Sequence, residues 1–470
     1  MIRTRFAPSP TGMIHLGNAR AALFSALYAR HHQGKFVLRI EDTDVARSEE
    51  RFVASLQADL RWLGVDWQEG PGVDGAYGPY WQSQRQKNYE HYYEKLHEKG
   101  LIYPCFCSDQ SLMLARKLAL SQGKPPRYSG KCRALSKADV EAKIAAGEKP
   151  AWRFIVPQNK LIPFVDAVKG PQQFNSDDIG DFIIRRADGS PPFLFCNAVD
   201  DADMHITHVL RGEDHLANTP RQIMILESLG LPLPQYGHLS LIVGHDGAPL
   251  SKRHGSYSLH EMHSSGFLPN ALMNYLSRLG HACESQALLN FDELAQQFYL
   301  EKLSKSPARF DVNQLLYWQR TAVQALNAEG VWRWLGERVE GIVPLNARVR
   351  FADIIKMIVD FPDDAYAWAK IFFHDQAVYD EEAKAIIQQA GEQYFVEAEL
   401  AVQKYGTDMK PMFEEMKRTL NISGKALFMP LRVALTGKLH GPDMAQISEL
   451  LGAEKMQHRL SRAFKLASEA

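Results

Sequence analysis

The stretch Arg3-Thr4-Arg5-Phe6-Ala7-Pro8-Ser9-Pro10-Thr11-Gly12-Met13-Ile14-His15-Leu16-Gly17-Asn18 has the residue types to hold a phosphate and a base. Two prolines forbid helix, Gly12 releases the chain, and a helix-forming run follows at once. A helix start offers unpaired N–H groups and roughly half a positive charge, which suits a phosphate. His15 adds a donor at the same place, and Gly17, lacking a Cβ, lets a flat base approach the backbone. The chemistry indicated is nucleotide handling, although a lone His-x-Gly in a loop is more often structural. Glu41 follows the apolar run Phe36-Val37-Leu38-Arg39-Ile40. It stands where ligands collect in open α/β sheets, either to meet an ammonium group or as part of a plain acidic loop. Arg211, in His208-Val209-Leu210-Arg211-Gly212-Glu213-Asp214, can grip a carboxylate bidentately where Lys would do so less specifically. Cys105, Cys107 and Cys132 supply three of the four ligands of a structural zinc site; the alternative is a hydrophobic knuckle of buried cysteines without metal.

The elements that must position these groups follow from periodicity and breakers. A strand, a sharp loop and a helix are expected at the N-terminus, with Asn18 capping the helix and Leu23, Phe24, Leu27 and Tyr28 on one face. Ser48 is expected to open a second helix, with Glu49 and Glu50 in its first turn and Gly64 ending it. A third runs from about Gln82 to Lys99. Alternating strands and helices predict an α/β fold, a doubly wound Rossmann-type catalytic domain. Residues from about Gln110 to Asp181 look like an α+β insertion, with a solvated helix near 137–143 and a strand at 151–156. The second half of the sheet is expected to resume with Asp181-Phe182-Ile183-Ile184-Arg185, followed by Phe193 to Asp201. A helix then opens at Asn218-Thr219-Pro220 with proline at its first position, and one more strand spans Leu239 to Gly244. From about Ala322 the strands stop and amphipathic helices, broken at Pro344, Pro362 and Pro411, take over.

Composition bounds the reading. At 470 residues the chain exceeds one hydrophobic core, and 45% hydrophobic with 23% charged residues is ordinary globular protein, so two to four domains are expected. Neither an eighteen-residue apolar run nor a leader pattern is seen, so a cytoplasmic protein with no membrane partner is expected. Five cysteines, three of them clustered, favour a metal site over a disulfide framework. With a net charge of −1, a nucleic-acid partner would have to be met by local basic patches. One such patch is residues 401–470, where eleven Lys plus Arg face seven Asp plus Glu.

The wording Ala7-Pro8-Ser9-Pro10-Thr11-Gly12…His15-Leu16-Gly17-Asn18 resembles the first signature of class I aminoacyl-tRNA synthetases, in the form found in bacterial-type glutamyl-tRNA synthetases. Asn197-Ala198-Val199-Asp200-Asp201 and Leu210-Arg211-Gly212-Glu213-Asp214 resemble further blocks of that family, and Leu250-Ser251-Lys252-Arg253 resembles its second signature. Lys302-Leu303-Ser304-Lys305-Ser306 spells that signature more literally but follows no predicted strand, and it is read as a loop.

The resemblance implies a ligase that activates L-glutamate with ATP and Mg²⁺ and passes it to tRNA(Glu), tRNA(Gln) being open as well. Catalytic residues would be His15 and Lys252, and ATP would meet Ser9, His15, Gly17, Asn18, Ser251, Lys252 and Arg253. Glutamate would meet Arg5, Ala7, Ser9, Glu41, Phe193, Asn197 and Arg211; Phe193 stands where the family usually has Tyr. Structural Zn²⁺ would be held by Cys105, Cys107, Cys132 and Tyr128, since Ala134 replaces the family's histidine. Arg432 would read an anticodon base, and 358–372 lack the arginine by which relatives choose among anticodons. The implied domains are catalytic halves at 1–104 and 182–248, an acceptor-binding insertion at 105–181, a signature loop and stem-contact region at 249–321 and an all-α anticodon-binding domain at 322–470. A monomer is expected. The rival readings are a relative that modifies a queuosine-containing tRNA, a non-catalytic tRNA-binding homologue and a small-molecule nucleotidyltransferase.

Overall fold

A computed structural model describes residues 1–44, 49–73, 75–123, 126–250, 257–374 and 377–469. In chain order the first part comprises β1 (Arg3–Phe6), α1 (Leu16–His31), β2 (Lys35–Leu38), α2 (Glu50–Trp62), α3 (Gln86–Glu98), β3 (Ile102–Cys105), α4 (Asp109–Ser121) and α5 (Lys137–Ala145). Then come β4 (Ala151–Phe154), β5 (Leu161–Asp166), β6 (Gly170–Asn175), α6 (Ser176–Ile179), β7 (Phe182–Arg185), α7 (Phe193–Asp203), β8 (His208–Gly212), α8 (Thr219–Leu229) and β9 (Gln235–Leu239). The chain divides into two compact units, Met1–Ser264 with Pro269–Leu315, and Ser265–Leu268 with Leu316–Ala470.

The first unit is built on a parallel sheet in the order β2-β1-β8-β9. After β1 the chain crosses through α1 to one side; it returns much later to place β8 on the other. The carboxyl ends of β1 and β8 therefore splay apart at a topological switch point, where such sheets bind ligands. Pleating sorts the side chains of β1. Thr4 faces α1 and donates to the Ser25 carbonyl, whereas Arg3 and Arg5 face α7 and reach Met204 and Asp201.

Several local expectations change in the folded chain. Asn18 does not cap α1: the helix starts at Leu16, His15 is its N-cap in extended conformation, and no side chain closes the end. The first turn of α1 therefore has no side-chain cap on its N–H groups. Ser48 lies outside the described residues, and Glu49 is the N-cap of α2 rather than part of its first turn. The stretch from Gln82 begins as a short 3-10 turn before α3. Pro220 takes the second position of α8, after Thr219. Leu239 to Gly244 is two strands, since β9 ends at Leu239 and Ile242–Val243 pairs instead with Ala308–Arg309.

The largest difference concerns β7. It does not resume the parallel sheet; it pairs antiparallel with β4, which pairs on its other edge with β3. Stacked Phe154 and Phe182 rings, 5.3 Å apart, pin that register. Phe193–Asp203 is helix, burying Phe195, Cys196, Val199 and both Asp200 and Asp201. The second unit holds only helices among the described residues, around a core running from Val331 through Phe351, Phe372, Phe395 and Leu431 to Leu460.

Candidate active site

Four residues stand at the carboxyl ends of the four parallel strands: Arg5, Arg39, Arg211 and His238, all buried. Arg39 is fully enclosed and bridges Asp201 at 2.7 Å and Glu41 at 3.4 Å. Arg5 reaches the same Asp201 carboxylate at 3.3 Å. On its far side Glu41 accepts from the Asn197 amide, whose own Oδ1 takes the Gln222 amide at 2.9 Å. Although burial pushes the Asp201 carboxyl up, Arg5 and Arg39 draw it below the usual range. Burial raises Glu41 despite the pull of Arg39. Next to this cluster Asp200 takes Arg85 at 2.6 Å and the hydroxyl of Tyr89 at 2.8 Å, closing the floor with a second buried pair.

Arg211 differs from Arg5 and Arg39 at its terminal nitrogens. Its Nε donates to His238 at 3.2 Å and its Nη2 to the Thr219 hydroxyl at 2.9 Å, while Nη1 is buried with no partner in the protein. Burial lowers its pKa to about 10, and the neighbouring charges it senses include Arg5, Asp201 and Glu41. A guanidinium with one amino group unpaired inside such a wall has a lone hydrogen-bonding edge to offer an anion. Phe193 and His215 pack ring to ring at 5.2 Å at the start of α7. Burial and Arg211 together hold His215 down to about 4, so it is neutral at physiological pH.

His15, Gly17 and Asn18 stand at the start of α1, with Ser9 six residues before His15 in the loop that leads into it. A Cβ on Gly17 would come within 3.2 Å of the His15 ring, so the ring's place depends on glycine there. Partial desolvation holds the His15 imidazole below its usual range, with Asp214 opposing. The arrangement presents backbone N–H groups, a neutral imidazole and a helix dipole to a phosphate. Ser251, Lys252 and Arg253 lie outside the described residues.

Residues 1–317 match the family described as "tRNA synthetases class I (E and Q), catalytic domain", and residues 328–464 match an anticodon binding domain. The chain belongs to the class I tRNA synthetases. It is thus an aminoacyl-tRNA ligase by family, with the ATP and Mg²⁺ requirement that membership carries. It is 50% identical over 463 residues to a glutamate–tRNA ligase 2 of Coxiella burnetii (strain RSA 331 / Henzerling II), covering 98% of this chain and 100% of the relative. A glutamate–tRNA ligase 2 of Nitrosococcus oceani is 51% identical, with 98% and 97% covered. Among solved structures, a glutamate tRNA ligase from Elizabethkingia meningosepticum CCUG26117, in complex with its amino acid, superposes with a TM-score of 0.88 at 28% identity, 99% of each chain being covered.

The folded synthetase also brings together the three cysteines read from the sequence. Their sulfur atoms lie within 4.8 Å of one another, and the Tyr128 hydroxyl is 3.5 Å from both Cys105 and Cys107. Sulfur ligands about 2.3 Å from a tetrahedral metal sit about 3.8 Å apart, so the donor set fits a metal ion. Against the upward push of burial, Arg153 and the Cys107 backbone draw the Cys105 thiol down to about 7, towards the thiolate a metal would bind. The Arg153 guanidinium also lies 3.7 Å above the Tyr128 ring.

In the second unit Arg432 lies within helix Lys425–Thr436 and donates to the Pro442 carbonyl at 2.7 Å. No described helix is long and apolar enough to cross a membrane.

Sequence reasoning missed four buried residues that the fold joins to Arg5, Glu41 and Arg211: Arg39, Asp201, His238 and Asp166. Arg39 carried a signal, a charge inside an apolar strand run, which a plain strand does not need. Asp201 lies inside the run Asn197-Ala198-Val199-Asp200-Asp201, where nothing local distinguishes it from Asp200. His238 and Asp166 carried none, because each gains its meaning only from a partner 72 residues away.

Proposed function

We propose that this chain joins L-glutamate to tRNA(Glu). The observation that carries the reading is the buried, unpaired Nη1 of Arg211, at the same sheet end as Arg5 and within electrostatic reach of the Glu41 carboxylate. An amino acid with a second carboxylate matches that distribution: its ammonium meets Glu41 and its carboxylates meet Arg5 and Arg211, while Ala7, Ser9, Phe193 and Asn197 complete the pocket. The relatives named as glutamate–tRNA ligases support the same substrate.

In the first step the glutamate α-carboxylate oxygen attacks the α-phosphorus of ATP, forming the adenylate as pyrophosphate leaves. Ser9, His15, Gly17 and Asn18 bind the nucleotide, with Ser251, Lys252 and Arg253 meeting its phosphates and Mg²⁺ accompanying them. In the second step a ribose hydroxyl at the tRNA 3′ end attacks the acyl carbon and AMP leaves. No side chain acts as nucleophile; positioning and fixed charge supply the rate. Cys105, Cys107, Cys132 and Tyr128 hold a structural Zn²⁺, which fixes the knuckle without touching substrate. Residues 105–181 receive the acceptor end and 249–321 the stem, while 322–470 read the anticodon with Arg432. The enzyme works as a cytoplasmic monomer.

The test is aminoacylation of separate tRNA(Glu) and tRNA(Gln) transcripts with labelled glutamate and ATP, with Lys252→Ala as control. Charging of tRNA(Glu) alone is the discriminating enzyme, and charging of tRNA(Gln) as well extends the substrate. No charging of either, with tRNA still bound, overturns the reading. Metal analysis of the purified protein is expected to give one zinc per chain, lost in Cys132→Ser.

A further inference from the structure

Behind Arg211 lies a second layer of buried polar groups that the reaction itself does not use. His238 and Asp166 are both fully enclosed. Asp166 ends β5, in a hairpin outside the parallel sheet, and that hairpin meets β9 through a hydrogen bond from Ala167 to the Tyr236 carbonyl. One carboxylate oxygen, Oδ1, accepts the backbone N–H groups of Val168, Lys169 and His238 at 2.8–3.1 Å. The other, Oδ2, lies 2.5 Å from His238 Nδ1. Across the ring, His238 Nε2 meets Arg211 Nε at 3.2 Å and the Thr219 hydroxyl at 3.1 Å.

The obligate donor Arg211 Nε–H fixes the tautomer of His238. Arginine Nε–H can only donate, so His238 Nε2 must carry a lone pair, and the single ring proton sits on Nδ1, aimed at Asp166. The Thr219 oxygen accepts from Arg211 Nη2 and lies beside His238 Nε2, whose single lone pair takes the Arg211 Nε–H. The ring is neutral, consistent with the lowering of its pKa by burial. Two of the three nitrogens of the Arg211 guanidinium are thereby committed, and the plane of the group is set.

We propose that Asp166 and His238 are positioning residues for amino-acid selection: by fixing one imidazole tautomer they hold the Arg211 guanidinium with Nη1 presented to the substrate carboxylate. This rests on Arg211 being the glutamate-binding arginine. Asp166→Asn is the sharpest probe. The three backbone donors hold the amide oxygen at the Oδ1 position, so the new amide nitrogen faces His238 Nδ1 and donates to it. The ring proton is then forced onto Nε2, against Arg211 Nε–H, with almost no change in volume.

The measurement is steady-state charging by the full-length enzyme, taking KM for glutamate and for ATP separately, with a thermal melt of each variant. Losing a hydrogen bond to a charged group corresponds to about 10–100-fold, so Asp166→Asn is expected to raise the KM for glutamate by about that factor and leave the KM for ATP within about twofold. A glutamine side chain offers Arg211 an acceptor whatever Asp166 carries, so Asp166→Asn with His238→Gln is expected to recover most of the loss. An unchanged KM for glutamate, equal rises for both substrates, or no recovery in the double variant overturns the proposal. Arg211→Lys separates the two claims: if it leaves the KM for glutamate unchanged, the glutamate assignment itself has failed. If it raises that KM while Asp166→Asn does not, only the positioning role falls.

Discussion

The two compact units each bury arginines, and they use them differently. In the helical unit Arg459 is almost fully enclosed, and both its Nη groups go to backbone carbonyls: Nη1 to Leu435, Nη2 to Ile371 and His374. These carbonyls lie at the ends of helices Pro362–Phe373 and Lys425–Thr436, where a cation answers the unpaired acceptors and the helix dipole. In the first unit Arg211 is also buried, yet one Nη group has no partner in the protein. Burial alone therefore does not separate a structural charge from a ligand-directed one. What separates them is whether the fold satisfies both terminal Nη groups by itself.

Substitutions at the two arginines break this contrast in opposite ways. Arg459→Ala leaves three backbone carbonyls, that of Leu435 fully buried, without this donor and is expected to lower unfolding free energy by about 3–5 kcal/mol in denaturant titrations, with the KM for glutamate unchanged. Arg211→Met is expected to leave the denaturation midpoint unchanged or raised, because replacing a buried charge by a similar apolar group often costs nothing. Charging with glutamate should fall by about 100-fold or more in the same variant, the scale of a lost charge-assisted contact.

Glu69 extends the comparison to pH. It is buried against Arg3 at 2.8 Å and also accepts from Tyr80 and Lys35, and these contacts draw its carboxyl down to about 2 against the push of burial. A carboxyl held below its unfolded value stabilises the fold above that value and loses its contribution as pH falls. Between about pH 4.5 and 2, wild type should lose about 2–3 kcal/mol that Glu69→Gln does not, as read by paired denaturation curves across that window. The exposed pair Arg30–Asp292, 2.7 Å apart, marks the lower end. Asp292→Asn should leave the melting temperature unmoved within error, because solvent screens such pairs.

How far the site could be read from the sequence depended on how local its physics is. The open start of α1 was legible because prolines, Gly12 and Gly17 act within a few bonds of where they stand. Glu41, at the end of an apolar run, was legible for the same reason. The cap assigned to Asn18 failed because capping turns on one residue of register, and the helix began at Leu16. β7 went astray because a short apolar strand reads alike in a parallel or antiparallel sheet. Only its meeting with β4 chose between them.

The sequence by itself determined the alternation of strand and helix, the helical C-terminal region, the clustered cysteines and the loop of prolines and glycine before α1. Each of these follows from backbone preference or side-chain chemistry over a few residues. Tertiary structure alone decided which charges share a wall. Arg5, Arg39 and Arg211 converge because β1, β2 and β8 become neighbours in the sheet. Asp166 reaches His238 because a distant hairpin docks on β9. The pairing of buried charges is set by distances across the fold, and the chain fixes those distances only when it closes.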